Sequence, residues 1–152
     1  MSKWTHICGC IRYDVLPLRP GIKEEVQGWL KETVFGPAAG FRGDHHTELP
    51  QGSEGSIDYQ IWRNEEDASL STFAVSFFGD LRDYHLEELD NLREWFKRIT
   101  VDLANNAMKG GSYPITVRQA VLQAEFEGAQ TVFLYSAWDE EGTNFEVREQ
   151  HK

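Results

Sequence analysis

The chain has 152 residues, 40% hydrophobic and 12% aromatic, enough apolar mass for one packed core and too much for a disordered chain. Its 25 acidic against 15 basic residues leave a formal charge of −10, which argues against a phosphate-backbone binder because nucleic-acid affinity is largely cationic. No apolar run approaches the roughly 18 residues of a membrane span, and Met1-Ser2-Lys3-Trp4-Thr5-His6 carries no apolar leader core, so a single domain over 1–152 in the cytoplasm, without membrane contact, is expected.

Trp4 to Val15 alternates. Ile7, Ile11, Tyr13 and Val15 make a core face, while Trp4, His6, Cys8, Cys10 and Arg12 make the other, so the segment reads as a strand. Cys8 and Cys10 project the same way about 6.8 Å apart, which suits free thiols in a reducing compartment better than a disulfide. His6, Cys8 and Cys10 spread over about 14 Å along a strand, too far to converge on one metal ion. Neither a metal nor another cofactor is expected.

Pro20 is placed to open a helix at its first position, with Glu24 and Glu25 in the positive first turn. Ile22, Val26, Trp29, Leu30 and Val34 give its apolar stripe, and Gly36-Pro37 its stop. Residues 37–55 read as a long glycine-containing loop with His45 and His46. Ser56–Trp62 and Leu70–Phe78 alternate as two strands expected to pair antiparallel. Leu86, Leu89, Leu92, Phe96, Ile99 and Leu103 then step by three and four in a helix expected from Asp80 and closed by Asn105–Ser112. Ile115–Phe126 and Thr131–Trp138 read as strands about a Glu127-Gly128-Ala129 turn. From about residue 139 the chain reads as an acidic, frayed tail or a short strand.

The order β-α-β-β-α-β-β predicts an α+β fold: a ferredoxin-like split βαβ with an added C-terminal strand, its antiparallel sheet covered by two helices on one face. The other face would then stay open. It would present Trp4, His6, Arg12, Asp58, Gln60, Trp62, Ser76 and Phe78, a mixture suited to stacking on a flat ligand or to self-association. A homo-oligomer is the expectation.

Two polar segments stand out as candidate ligand-binding elements. In Gly52-Ser53-Glu54-Gly55-Ser56, glycines let backbone N–H groups converge on an anion, with Ser53 and Ser56 as further donors; the lysine and following helix of a phosphate loop are missing. In Phe78-Gly79-Asp80-Leu81-Arg82-Asp83-Tyr84, a strand-to-helix junction would offer unpaired amides, although Asp80 and Asp83 also suit helix caps and Arg82 suits pairing with either. With the outward His6 and Arg12, these define the expected pocket: His6, Arg12, Ser53, Glu54, Ser56, Asp80, Arg82 and Asp83. Arg12, Arg82 and the turn amides suit an anionic, nucleotide-like small molecule. The acidic surface suits a basic host protein, and an acidic mimic of nucleic acid is a further alternative.

No catalytic motif is complete, so no catalytic residue is assigned and a non-catalytic binding protein is favoured over an enzyme. The enzyme alternative is a small hydrolase or phosphoesterase using His6 or His46 as acid–base group. His45-His46-Thr47 holds one His-x-Thr, but the second copy that a two-histidine phosphoesterase needs is missing, since none of His6, His85 and His151 has Thr or Ser two residues on.

The words "LPQGSEGSIDYQIW" at 49–62, "FAVSFFGDLRDY" at 73–84 and "WTHICGCIRYD" at 4–14 resemble an uncharacterised family of small proteins from tailed bacteriophages and some bacteria, over most of residues 4–135. The resemblance implies a phage accessory protein acting in the host cytoplasm, a class rich in small inhibitors, anti-defence proteins and ligand-sequestering proteins. It assigns no residue a role.

Overall fold

The computed structural model describes residues 1–16, 20–31, 49–64, 71–102, 115–138, 140–141 and 145–152. In chain order its elements are β1 (Trp4–Val15), α1 (Ile22–Trp29), β2 (Asp58–Arg63), β3 (Ser71–Arg82), α2 (Leu89–Lys97), β4 (Ile115–Phe126), β5 (Thr131–Trp138) and β6 (Phe145–His151). The fold is α+β: these strands form one six-stranded sheet in the order β2-β3-β1-β4-β5-β6, with every neighbouring pair antiparallel.

Period-2 alternation sets which side chains are buried. Ile7, Ile11, Tyr13 and Val15 of β1, Phe73, Val75, Phe77 and Leu81 of β3, and Leu122, Ala124 and Phe126 of β4 share one core with Ile22 and Val26 of α1 and Leu92, Trp95 and Phe96 of α2. Gly9 is the gap in the β1 core face. A Cβ there would lie 2.4 Å from the Phe77 ring and 2.4 Å from the Val121 carbonyl oxygen, so glycine alone lets Phe77 lie across β1 and meet Trp95 edge-on at 5.4 Å. Between Arg12 and Tyr13 the register with β4 slips by one residue. This bulge leaves Arg118 and Gln119 consecutive and both exposed.

Several expected boundaries move. Helix α1 starts at Ile22 behind a left-handed Gly21 with φ 82°, so Pro20 lies outside it rather than at its first position. Strand β3 does not stop at Phe78. Gly79, Asp80, Leu81 and Arg82 continue the ladder opposite Ile7, His6, Thr5 and Trp4, and the helical turns begin only at Leu86. Asp80 and Arg82 are therefore strand residues, not members of a helix N-terminus. Trp95, outside the expected stripe, is fully buried, whereas Leu86, within it, is exposed. The expected frayed tail or short strand supplies β6, paired along β5 from Val132 to Trp138. The Gly36-Pro37 stop, most of the 37–55 loop with His45 and His46, and the Asn105–Ser112 segment lie outside the described residues.

Candidate functional site

The Gly52–Ser56 turn and the end of β3 are brought together. Gln51 bridges Ser56, and Glu54 bridges Arg82. The Ser53 N–H donates to the Arg82 carbonyl at 2.8 Å, and the Arg82 N–H donates to the Glu54 carbonyl at 2.9 Å. The Ser53 hydroxyl reaches an Asp83 carboxylate oxygen at 2.9 Å. The Arg82 guanidinium donates to Glu54 Oε2 at 3.1 Å and to the Ser2 hydroxyl at 2.7 Å.

The glycines of this turn serve close packing. At Gly55, with φ 87°, a Cβ would lie 2.0 Å from the Asp80 carbonyl oxygen, and at Gly52 it would lie 2.4 Å from that of Arg82. Two amides of the turn are engaged within the protein, Gly52 N–H on the Gly55 carbonyl and Ser53 N–H on that of Arg82. Ser56 is exposed beside this contact. Asp83 takes a positive φ of 56°, and its N–H donates to the Lys3 carbonyl at 2.8 Å.

His6 and Asp80 face each other across β1 and β3. Nδ1 of His6 is 2.7 Å from Asp80 Oδ1, and Nε2 is 3.2 Å from Glu127 Oε1. Glu127 also accepts the Trp4 N–H at 2.9 Å. Hydrogen bonding to Asp80 chiefly holds the imidazole above its ordinary pKa; burial opposes this, and the hydrogen bond to Glu127 adds to it. The Trp4 N–H first, and His6 second, hold the Glu127 carboxyl below its ordinary value. The carboxylates sit on opposite ring nitrogens, so the trio does not converge on one metal position. Among the described residues no group of three or more His, Cys, Asp or Glu side chains has that arrangement.

Arg12 does not join this cluster. It lies six residues along β1 from His6, about 20 Å away, with its Nε 3.4 Å from Asp14 Oδ1. Arg118 approaches the other Asp14 oxygen at 2.7 Å, and the Thr72 hydroxyl donates to Asp14 at 3.1 Å. Burial alone would raise the Asp14 pKa, but Arg118, Thr72 and Arg12 together hold it below the ordinary value.

Sequence reading missed Glu127 and the cleft beside it. This cleft, about 380 Å³, lies among Lys3, Trp4, Tyr84, His85, Glu87 and Glu127, at the end of the sheet where β1 begins. The turn holding Glu127 was legible, but its position over Trp4 and His6 follows from the β1–β4 pairing, more than a hundred residues apart in the chain.

The outward side chains at the sheet centre form transverse rows. Asp58, Phe78, Cys8, Gln123, Phe133 and Gln150 make one, and Gln60, Ser76, Cys10, Val121, Tyr135 and Arg148 the next. Phe78 is 63% exposed, Trp62 55% and Val121 47%, and both cysteines are free, exposed thiols. No helix among the described residues is long and apolar enough to cross a membrane. No known protein family, no curated protein and no solved structure matches the chain.

Proposed function

We propose that this chain is a non-catalytic binding protein whose working surface is the open face of its sheet, with a protein rather than an anionic small molecule as partner. The observation that carries this is the exposed apolar strip of Phe78, Val121 and Trp62 around Cys8 and Cys10. Phe78 lies beside Cys8, Val121 beside Cys10, and the Trp62 indole bonds to Ser76; exposed apolar side chains gathered in this way suit an interaction site. An anion is the poorer fit, because each arginine expected to hold it already has a carboxylate: Arg82 has Glu54, and Arg12 has Asp14. Acid–base catalysis by His6 is the poorer fit too, because an imidazole bracketed by Asp80 and Glu127 has no ring nitrogen open to a substrate. Mimicry of nucleic acid finds little support on this face, where Arg12, Arg118 and Arg148 interrupt the acidic residues.

The strand order β2-β3-β1-β4 supports reading the inner part as a ferredoxin-like core extended by β5 and β6. The shared burial of α1 and α2 with one set of strand residues supports placing both helices on one face. A phage accessory protein acting in the host cytoplasm is the setting we propose for it.

The test uses the two cysteines, which are the only ones in the chain and lie on the proposed surface. Maleimide labelling of wild type should be several-fold slower than that of Phe78→Asp, either in concentrated purified protein or in a desalted host extract. Equal rates in both settings would sink the reading.

A further inference from the structure

We infer that the occupant of the open face is a second copy of this chain, packed face to face about a two-fold axis that crosses the strands near Gly9. This rests on the reading of the open face as the working surface, and it names the partner.

On β3, β1 and β4 the charge on that face is graded along the strands, whereas on β6 it runs the other way, from Lys152 at the end where β1 begins to Glu146 at the opposite end. At the end where β1 begins, Asp80, Glu125 and Glu127 surround His6, and even with the imidazole charged this cluster is negative. At the opposite end, Arg12 and Arg118 share the single carboxylate of Asp14, a positive cluster. The guanidiniums remain accessible, with side chains 51% and 56% exposed against 6% for Asp14. Between the two ends lies the apolar middle of Phe78, Cys8, Cys10 and Val121.

A two-fold axis that relates two facing sheets must lie in the plane between them. If it ran along the strands, acidic end would meet acidic end. If it runs across them, strand direction reverses, and each acidic end lies over the other copy's arginines while the apolar middles meet. Only the second choice is electrostatically self-complementary, and a two-fold interface makes each such contact twice.

The register makes this specific. Gly9 pairs with Leu122, His6 with Glu125 and Arg12 with Gln119, so Glu125 and Gln119 lie equally far on either side of the axis. Glu125 of one copy therefore faces Gln119 of the second, beside its Arg118. Six strands about 4.8 Å apart, averaging roughly 30 Å in length, present on the order of 800 Å², the size of one side of a standard stable interface.

Sedimentation velocity of purified protein across a concentration range tests the inference. We expect a dimer at low salt that weakens as salt rises, with Kd raised at least about tenfold by Phe78→Asp and by Glu125→Lys. Adding Gln119→Glu to Glu125→Lys should recover most of the loss, because it restores an opposite charge across the axis. All three positions are solvent-facing, and circular dichroism would check that each variant folds. A monomer at every concentration overturns the inference, as does a dimer indifferent to both single variants. If the monomer nevertheless labels slowly in host extract, the open face serves a different partner: the self-association fails and the proposed function stands.

Discussion

His6 sits between two carboxylates, and this raises its pKa. Both ring nitrogens must carry protons to donate to Asp80 and Glu127, so the structure favours the imidazolium. A group whose folded pKa lies above its unfolded value stabilises the fold fully below about pH 6.5, and that contribution is lost as pH rises through the raised value. Histidine proton resonances should therefore give His6 a pKa above 6.5. Asp80→Asn should bring it down towards that value, and by more than Glu127→Gln, since Asp80 makes the shorter bond and has the larger effect. An unchanged His6 titration in Asp80→Asn would show that the pair is not formed in solution. The pairing was not legible in the sequence, where residues 6, 80 and 127 carry no mutual signal.

At the scale of elements, two contacts tie distant segments together. The Gly52–Gly55 turn lies against the end of β3 so closely that no side chain fits at Gly55. Gly55→Ala incurs both a left-handed backbone cost of about 1–2 kcal/mol and displacement of the turn from the Asp80 carbonyl. We expect thermal or urea unfolding to show a loss of at least about 2 kcal/mol, and a loss below about 0.5 kcal/mol would contradict the packing role. The second contact runs from β1 to the π-helical turn Arg98–Asp102 after α2, where the buried Tyr13 hydroxyl donates to the Ile99 carbonyl at 2.6 Å. Tyr13→Phe leaves that acceptor without its donor and should cost about 1–3 kcal/mol with the far-ultraviolet spectrum intact; a stability equal to wild type would show that the bond contributes nothing net.

For the molecule as a whole, the sheet is extended at the β4 side by β5 and β6, and the outermost strand is held by more than its ladder. Val147 packs against the core, and Glu149 accepts from Arg93 of α2 at 2.7 Å, which holds the Glu149 carboxyl below its ordinary pKa. Ending the chain before Phe145 would remove this packing and leave the ladder edge of β5 unpaired, an invitation to aggregation. We expect a loss on the order of 1 kcal/mol from the partly buried Val147 alone, read by urea denaturation, together with concentration-dependent light scattering. A truncated chain as stable and soluble as the full one would show that β6 is dispensable.

The sequence by itself determined most of the local structure. The period of two in Trp4–Val15, Ile115–Phe126 and Thr131–Trp138 placed those strands at their observed limits, because alternation records which face is buried. The step of three and four placed the body of α2 for the same reason. Tertiary structure decided where elements end and who meets whom. The alternation reads as a strand only to Phe78, yet β3 continues past Gly79 because β1 supplies the ladder partners through Trp4, and a residue without Cβ admits the Ser56 carbonyl 2.6 Å from where that atom would be. The Gly52–Ser56 turn and the end of β3 were each visible as polar segments. That they pack into one joint depends on backbone hydrogen bonds between residues about thirty apart. The rows of the open face and its charge gradient likewise exist only once the strand order sets Glu125 beside His6 and Gln119 beside Arg12.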